Sequence, residues 1–291
     1  MSHVLAVDLG GTKTSIALID DSGCIFEKQR LPATPAVEST VEQIVARYDE
    51  LKGNSIAAIG IIVPGIYDPG TGNAWAPNLW GKDFYPFRKQ IEQHLSVPIE
   101  IGSDRVASAV AEQWLGVARG LRHVVFVAVG TGIGVGIISD GRPVEGAHGI
   151  AGAAGWMLVA GPWKPEYLAC GGWETEAAGP ALARRAGKQT AEAAIEAARA
   201  GDVRVLEAVS QTADYLALGI SALIAVLDPE IVVLGGGVMQ ASDLMLEQIR
   251  RNALAWTQPV AAKHVRIETT ALGEDAGLLG AARLAWLKTG L

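Results

Sequence analysis

Apolar residues along the chain fall into two patterns, short unbroken runs and longer stretches with helical spacing. "VLAVDLG" is a run of buried-strand length, "TSIALID" follows it across "GTK", and "DSG" turns into "CIFEKQR", which predicts a meander of hairpins. Val37, Val41, Ile44, Val45, Tyr48 and Leu51 then recur at the period of an amphipathic helix, with Thr34 as its expected cap, Pro35 in its first turn and Gly53 at its end. "AAIGIIV" predicts the next strand. A Pro-, Gly- and Trp-rich loop is expected from Pro64 to Lys82, followed by a helix near residues 85–95, the strand "PIEIGSD" and the helix "VASAVAEQWLGVA".

The opening layout then returns. "HVVFVAVGTGIGVGIISDGRPVEG" repeats the order strand, Gly-rich turn, strand, Gly turn of "HVLAVDLGGTKTSIALIDDSG", an internal repeat that occurs twice and far apart. Helices follow across residues 175–226, then the strand "EIVVLGGG", a helix from Ser242, the strand "HVRIETT" and a last helix "AGLLGAARLAWLK". In that helix Leu278, Leu279, Ala282 and Ala285 share an apolar face. Strands alternating with helices make this an α/β chain, and the two halves imply a cleft between them where a ligand can sit.

Composition narrows the picture. The chain has 291 residues, 35 of them Gly, with 49% hydrophobic and 19% charged residues, as expected of a globular α/β protein long enough for two domains. A net charge of -7 with no basic run argues against a nucleic-acid partner. Cys24 and Cys170 are too few for a disulfide framework or a Cys-rich zinc site, and fit a reducing compartment. No leader and no run of about 18 uninterrupted apolar residues is seen, so the expected location is cytoplasmic, with no membrane partner.

Three glycine-rich turns carry the candidate chemistry. In "DLGGTKT", Asp8 ends a strand and Gly10, Gly11, Thr12 and Lys13 form a tight turn whose backbone N–H groups can meet phosphate oxygens while the carboxylate faces a magnesium ion. The spacing is not that of a Walker A loop. Gly130, Thr131, Gly132 and Gly134 in "GTGIGVG" make a second small-residue turn, and Gly235, Gly236 and Gly237 after a buried strand suggest a flat bed for a nucleoside. Asp104 in "GSDRVASA" has two readings, a general base and a helix N-cap. Asp20, Asp21 and Asp68 read as turn residues.

The segments "AVDLGGTKTSIALID", "GIIVPGIYDPGTGNAWAPNLWG", "GSDRVASAVAEQWLG", "VAVGTGIGVGIISDGRPVEGAHGIAGAAG", "DPEIVVLGGGV" and "GLLGAA" together resemble the ROK family of sugar kinases over nearly the whole chain. The resemblance implies two ribonuclease H-like domains of the actin and hexokinase type. An N-terminal lobe of residues 1–103, completed by the helix 276–291, would face a C-terminal lobe of residues 104–275. It also implies ATP and Mg2+ as cofactors, phosphorylation of a sugar hydroxyl, most often the primary one, and a homodimer. Asp8 and the turn Gly10–Lys13 match the first phosphate segment, Gly130, Thr131, Gly132 and Gly134 the second, and Gly235 to Gly237 the adenosine segment. Asp104 matches the catalytic aspartate, which favours the base over the cap.

For the acceptor the resemblance retains Pro64, Gly65, Asn78 and Glu174, while Ser103, Ala154 and Trp156 stand where Asn, Glu and His are usual. The loss of two polar groups and the gain of an indole point away from ordinary glucose, toward a modified sugar or a cyclitol. Trp75 and Trp80, flanking Asn78, can either join that wall or pack the core. Family members carry a zinc site of one His and three Cys; here Trp156, Pro165, Tyr167 and Gly172 occupy those positions and Cys170 falls between them, so no structural zinc is expected. Trp156, Trp163, Trp173 and "GPWKP" would then order this segment by packing. Two alternatives stay open: a non-catalytic sensor or regulator on the same fold, as in family members that are repressors, and a kinase of a non-sugar acceptor. The repressors carry an N-terminal helix-turn-helix, whereas this sequence starts at the first strand.

Overall fold

The computed structural model describes residues 2–159 and 161–290. In chain order it begins with β1 (His3–Leu9), β2 (Lys13–Ile19), β3 (Ile25–Pro32), α1 (Val37–Leu51), β4 (Ile56–Val63), β5 (Ile66–Asp68) and β6 (Asn73–Trp75). Then come α2 (Pro77–Trp80), α3 (Phe87–Glu92), β7 (Ile99–Ser103) and α4 (Asp104–Leu115). The next strands are β8 (Val124–Val129), β9 (Ile133–Ser139) and β10 (Arg142–Pro143), followed by α5 (Tyr167–Cys170), α6 (Gly172–Ala177), α7 (Gly179–Ala186), α8 (Ala191–Arg199) and α9 (Val203–Leu227). The chain ends with β11 (Ile231–Gly235), α10 (Ser242–Trp256), β12 (Arg266–Thr269) and α11 (Ala276–Thr289).

Two compact units result. The first holds Met1–Arg119, Glu145–Ile150 and Leu272–Leu291; the second holds Gly120–Val144 and Ala151–Ala271. The expected boundary at residues 103/104 differs from this division, because α4 packs on α11 and on β7 and so belongs with the first unit.

The expected repeat is visible as topology. The first unit's sheet has the order β3-β2-β1-β4-β7 and the second's β10-β9-β8-β11-β12. In each, the middle strand (β1 or β8) pairs antiparallel with its hairpin partner and parallel with the strand on its other side. The unbroken apolar runs are explained by position: Val4 to Val7 and Val124 to Val127 are buried on both faces, as interior strands covered by helices must be.

Helix packing supplies the rest of each core. In the first unit α11 lies on β1, β4 and β7, with Leu278, Leu279, Ala282 and Ala285 buried along the expected face. Ala281 and Trp286 are buried too, since α4 covers a second side. At that crossing a methyl on Gly280 would lie 2.2 Å from the carbonyl oxygen of Ala107, so only glycine allows the two backbones to approach. In the second unit α9 runs through the core; it is 25 residues long and apolar enough to cross a membrane by length and composition, yet its apolar window is 56% buried within the protein. Trp173 of α6 is fully buried against it and donates its indole N–H to the Tyr215 carbonyl at 2.9 Å.

Two local expectations need correction. Thr34 does not cap α1: the N-cap is Ala36, without a side-chain bond, and the Thr34 hydroxyl pairs instead with that of Thr40 at 2.6 Å. The expected loop from Pro64 to Lys82 contains the β5–β6 hairpin and the short α2, elements of three and four residues that are too brief to show a period.

Candidate active site

In the first unit three groups converge because β1, β4 and β7 are adjacent and parallel, so their carboxyl ends lie side by side. Asp8 is near the end of β1, Pro64 and Gly65 follow β4, and Asp104 follows β7. Gly65 has φ +152°, and a methyl there would sit 2.2 Å from the Trp75 carbonyl oxygen, which ties this turn to the β5–β6 hairpin. The exposed turn Gly11–Lys13 is closed by the Gly10 N–H donating to the Lys13 carbonyl at 2.9 Å, and Gly11 borders the backbone of Asn78, itself exposed on α2. The Lys13 ammonium is 3.8 Å from Glu274 and half exposed, a loose surface pair.

Ser103 and Asp104 divide the two roles that the sequence offered to the aspartate. Ser103 is the N-cap of α4, its buried hydroxyl accepting from the Val106 N–H at 3.5 Å, and Asp104 occupies the first helical position. Asp104 as a residue is exposed, and its carboxylate accepts from the Arg105 N–H at 2.9 Å. Desolvation by the surrounding protein nevertheless raises its pKa, against the opposing charge of Arg105. Asp8, half-buried, is pushed up to about 6 by desolvation first and then by the charge of Asp104, with Lys13 pulling the other way.

The second unit presents backbone rather than carboxylates. Gly130, Thr131, Gly237 and Val238 line one side of a hollow of about 430 Å3. Gly179, Pro180 and Ala183 of α7 and Gln189 to Glu192 at the start of α8 form the rest. Those helical walls carry no motif, and the only sequence sign of them was the break at Gly187 before the Thr190 cap of α8.

The three-glycine bed is smaller than expected. Gly237 lines the hollow with open space at its Cα, but Gly235 is buried in β11, where a methyl would lie 2.5 Å from the Phe126 ring. Gly236 turns the chain at φ +91°, with a methyl there 2.5 Å from the Val129 carbonyl oxygen. Gly132 and Gly134 likewise do not line it; Gly132 leaves room for the Glu174 carboxylate, which accepts from the Ile133 N–H at 2.8 Å. Glu174 therefore holds the second glycine turn.

The family model described as ROK family matches residues 4–288. The chain belongs to the ROK family. A glucokinase of Halalkalibacterium halodurans is 29% identical over 95% of this chain and 92% of its own, and an N-acetylmannosamine kinase of Salmonella typhi is 33% identical over 97% of both. Among solved structures, a ROK hexokinase from Thermus thermophilus superposes with a TM-score of 0.85 at 30% identity, covering 99% of both chains. A ROK glucokinase from Streptomyces griseus, in complex with glucose and AMPPNP, gives 0.79 at 28% identity, covering 98% of this chain and 99% of its own. The fold is accordingly the actin and hexokinase-like α/β fold of ROK sugar kinases.

Trp156 is 60% exposed and Trp163 57% exposed, so of the three tryptophans expected to order residues 154–173 only Trp173 packs. Ala154 is buried in the core of the second unit. Among the described residues no three His, Cys, Asp or Glu side chains are grouped to hold a metal. Trp80 is buried and donates its indole N–H to Thr40, which makes it a core residue; Trp75, partly exposed, stacks on Phe84 at 6.4 Å and donates to the Lys82 carbonyl. Asp20 and Asp68 accept from backbone and hydroxyl groups within their own turns.

Proposed function

We propose that the protein is an ATP-dependent kinase that transfers the γ-phosphoryl group to a hydroxyl, a primary one by family pattern, of a sugar or sugar-like polyol, with Asp104 as general base. The observation that carries this reading is the Asp104 carboxylate, released from capping by Ser103 and raised in pKa beside Asp8. A carboxylate so placed can accept the proton of an attacking hydroxyl more readily than an ordinary one.

Residues at the turn Gly10–Lys13 and at Gly130, Thr131 and Gly237 offer exposed backbone to phosphates and nucleoside. Asp8 fits a magnesium ion, since a half-buried carboxyl that pays for its charge gains by meeting a cation. That ion would supply charge neutralisation on the transferred phosphate. For the acceptor, Gly65 and Asn78 contribute backbone and amide, and the exposed indole of Trp156 offers a flat apolar face that can lie against the C–H face of a ring. An acceptor with fewer hydroxyls than glucose, a substituted sugar or a cyclitol, suits that face.

The deciding experiment measures phosphate transfer to a panel of hexoses, amino sugars, anhydro sugars and cyclitols, with Asp104→Asn beside the native protein. The variant is expected to lose about two to four orders of magnitude in kcat while AMPPNP binding by calorimetry is unchanged. Unchanged turnover would remove Asp104 from the chemistry. Acceptor binding without any turnover would instead favour a sensor.

A further inference from the structure

The stretch of residues 161–171 has little apolar burial of its own: Trp163 and Leu168 lie largely in solvent. Its side chains Lys164 and Tyr167 tie it to α6. Glu176 of α6 is buried, and both of its carboxylate oxygens are taken: Oε1 accepts from the Lys164 ammonium at 2.7 Å and from the Tyr167 hydroxyl at 2.8 Å, while Oε2 accepts from the Arg185 guanidinium at 2.8 Å. Arg185 is itself fixed to the core, donating to Thr212 at 3.2 Å and lying 4.6 Å from the Tyr215 ring centre on α9. Burial opposes ionisation of Glu176, yet the hydrogen bonds from Lys164 and Tyr167, then the charges of Lys164 and Arg185, hold its carboxyl below the usual range.

The far end of the same stretch touches Trp156. A methyl on Gly171 would sit 2.3 Å from the Trp156 Cα and 2.4 Å from the Gly155 carbonyl oxygen, and the Trp173 N–H donates to the Met157 carbonyl at 2.8 Å. Residues 164–167 are thereby connected, through Gly171, to the backbone that carries the exposed indole. We propose that Lys164 and Tyr167, docked on Glu176, are positioning residues that latch residues 161–171 and so hold the Trp156 indole ready for the acceptor. The proposal rests on the acceptor role given to Trp156 above.

Tyr167→Phe and Lys164→Met are expected to raise the acceptor KM roughly tenfold, the loss of one hydrogen bond to a charged group, with kcat and the ATP KM nearly unchanged. Lys164→Arg keeps a cation within reach of Glu176 and should restore the native KM. In the Trp156→Ala background, Tyr167→Phe should add little, because the indole it positions is gone. Calorimetric titration of each variant with the acceptor that is turned over gives the same comparison for binding, independent of turnover. If Trp156→Ala raises the acceptor KM or Kd but the latch variants do not, the latch is overturned and the acceptor role stands. If Trp156→Ala changes neither, both fall. Equal rises in acceptor and ATP KM, or additive effects in the double variant, would reduce the latch to a structural brace and overturn the proposal.

Discussion

At Asp8 the protein keeps a carboxyl where its charge is disfavoured. The group titrates near 6 in the folded chain against an ordinary value of 3.8, so the folded state binds its proton more tightly than the unfolded one. The resulting stability is complete below pH 3.8 and is lost as the pH rises through 6. Asp8→Asn removes the penalised charge, and should stabilise the ligand-free protein by up to roughly 3 kcal/mol at pH 8, with no gain at pH 4. Thermal unfolding of both proteins at the two pH values tests this, and equal melting temperatures at pH 8 would count against a strained Asp8. Asp104 and Arg105 allow a second expectation. Since the Arg105 charge opposes desolvation at Asp104, Arg105→Gln should move the acid limb of the pH–rate profile to higher pH. A limb that stays in place would show that the guanidinium has no hold on the base.

Among elements, the α4–α11 crossing sets a close backbone constraint. Gly280→Val should destabilise the first unit by about 1–3 kcal/mol, because the obstacle at 2.2 Å is backbone and cannot swing aside; denaturant unfolding reads the cost. Such elements were legible in the sequence to different degrees. β1, β2, β8 and β9 were plain from their apolar runs, and the repeat from their shared turns, because burial on both faces leaves its mark residue by residue. The hairpin β5–β6 was not, since three-residue strands hold no period. Asp104 was found but shared its reading with a cap, and only the backbone could assign that cap to Ser103. The glycine run was read as one surface, although Gly235 answers to the Phe126 ring, more than a hundred residues away in sequence. The α7–α8 wall was missed for the same reason: a residue's facing a hollow is a property of the fold and leaves no local pattern. Trp156 and Trp163 were expected to order their segment by packing in place of a zinc site, with Trp156 also a candidate acceptor contact, and both indoles are exposed.

For the whole molecule, duplication has given two sheets of one topology and two different surfaces at their strand ends. The first unit gathers Asp8 and Asp104, and the second gathers bare backbone and a helix-walled hollow. The first unit is also discontinuous, with α11 joining it only after the whole of the second unit has passed. On a ribosome, β1 and β4 therefore emerge long before the helix that covers one of their faces. At about 5–20 residues per second that face stays open for some ten seconds or more, an interval in which a chaperone or a neighbouring chain can reach it. Release of a chain cut before residue 276 should leave the second unit protected from protease and the first one digested, whereas the full chain resists. A truncated chain as resistant as the full one would mean that the early strands find another cover. The helix α11 is thus a timer as well as a wall: the unit that holds Asp8 and Asp104 waits for its cover until the second unit has been made.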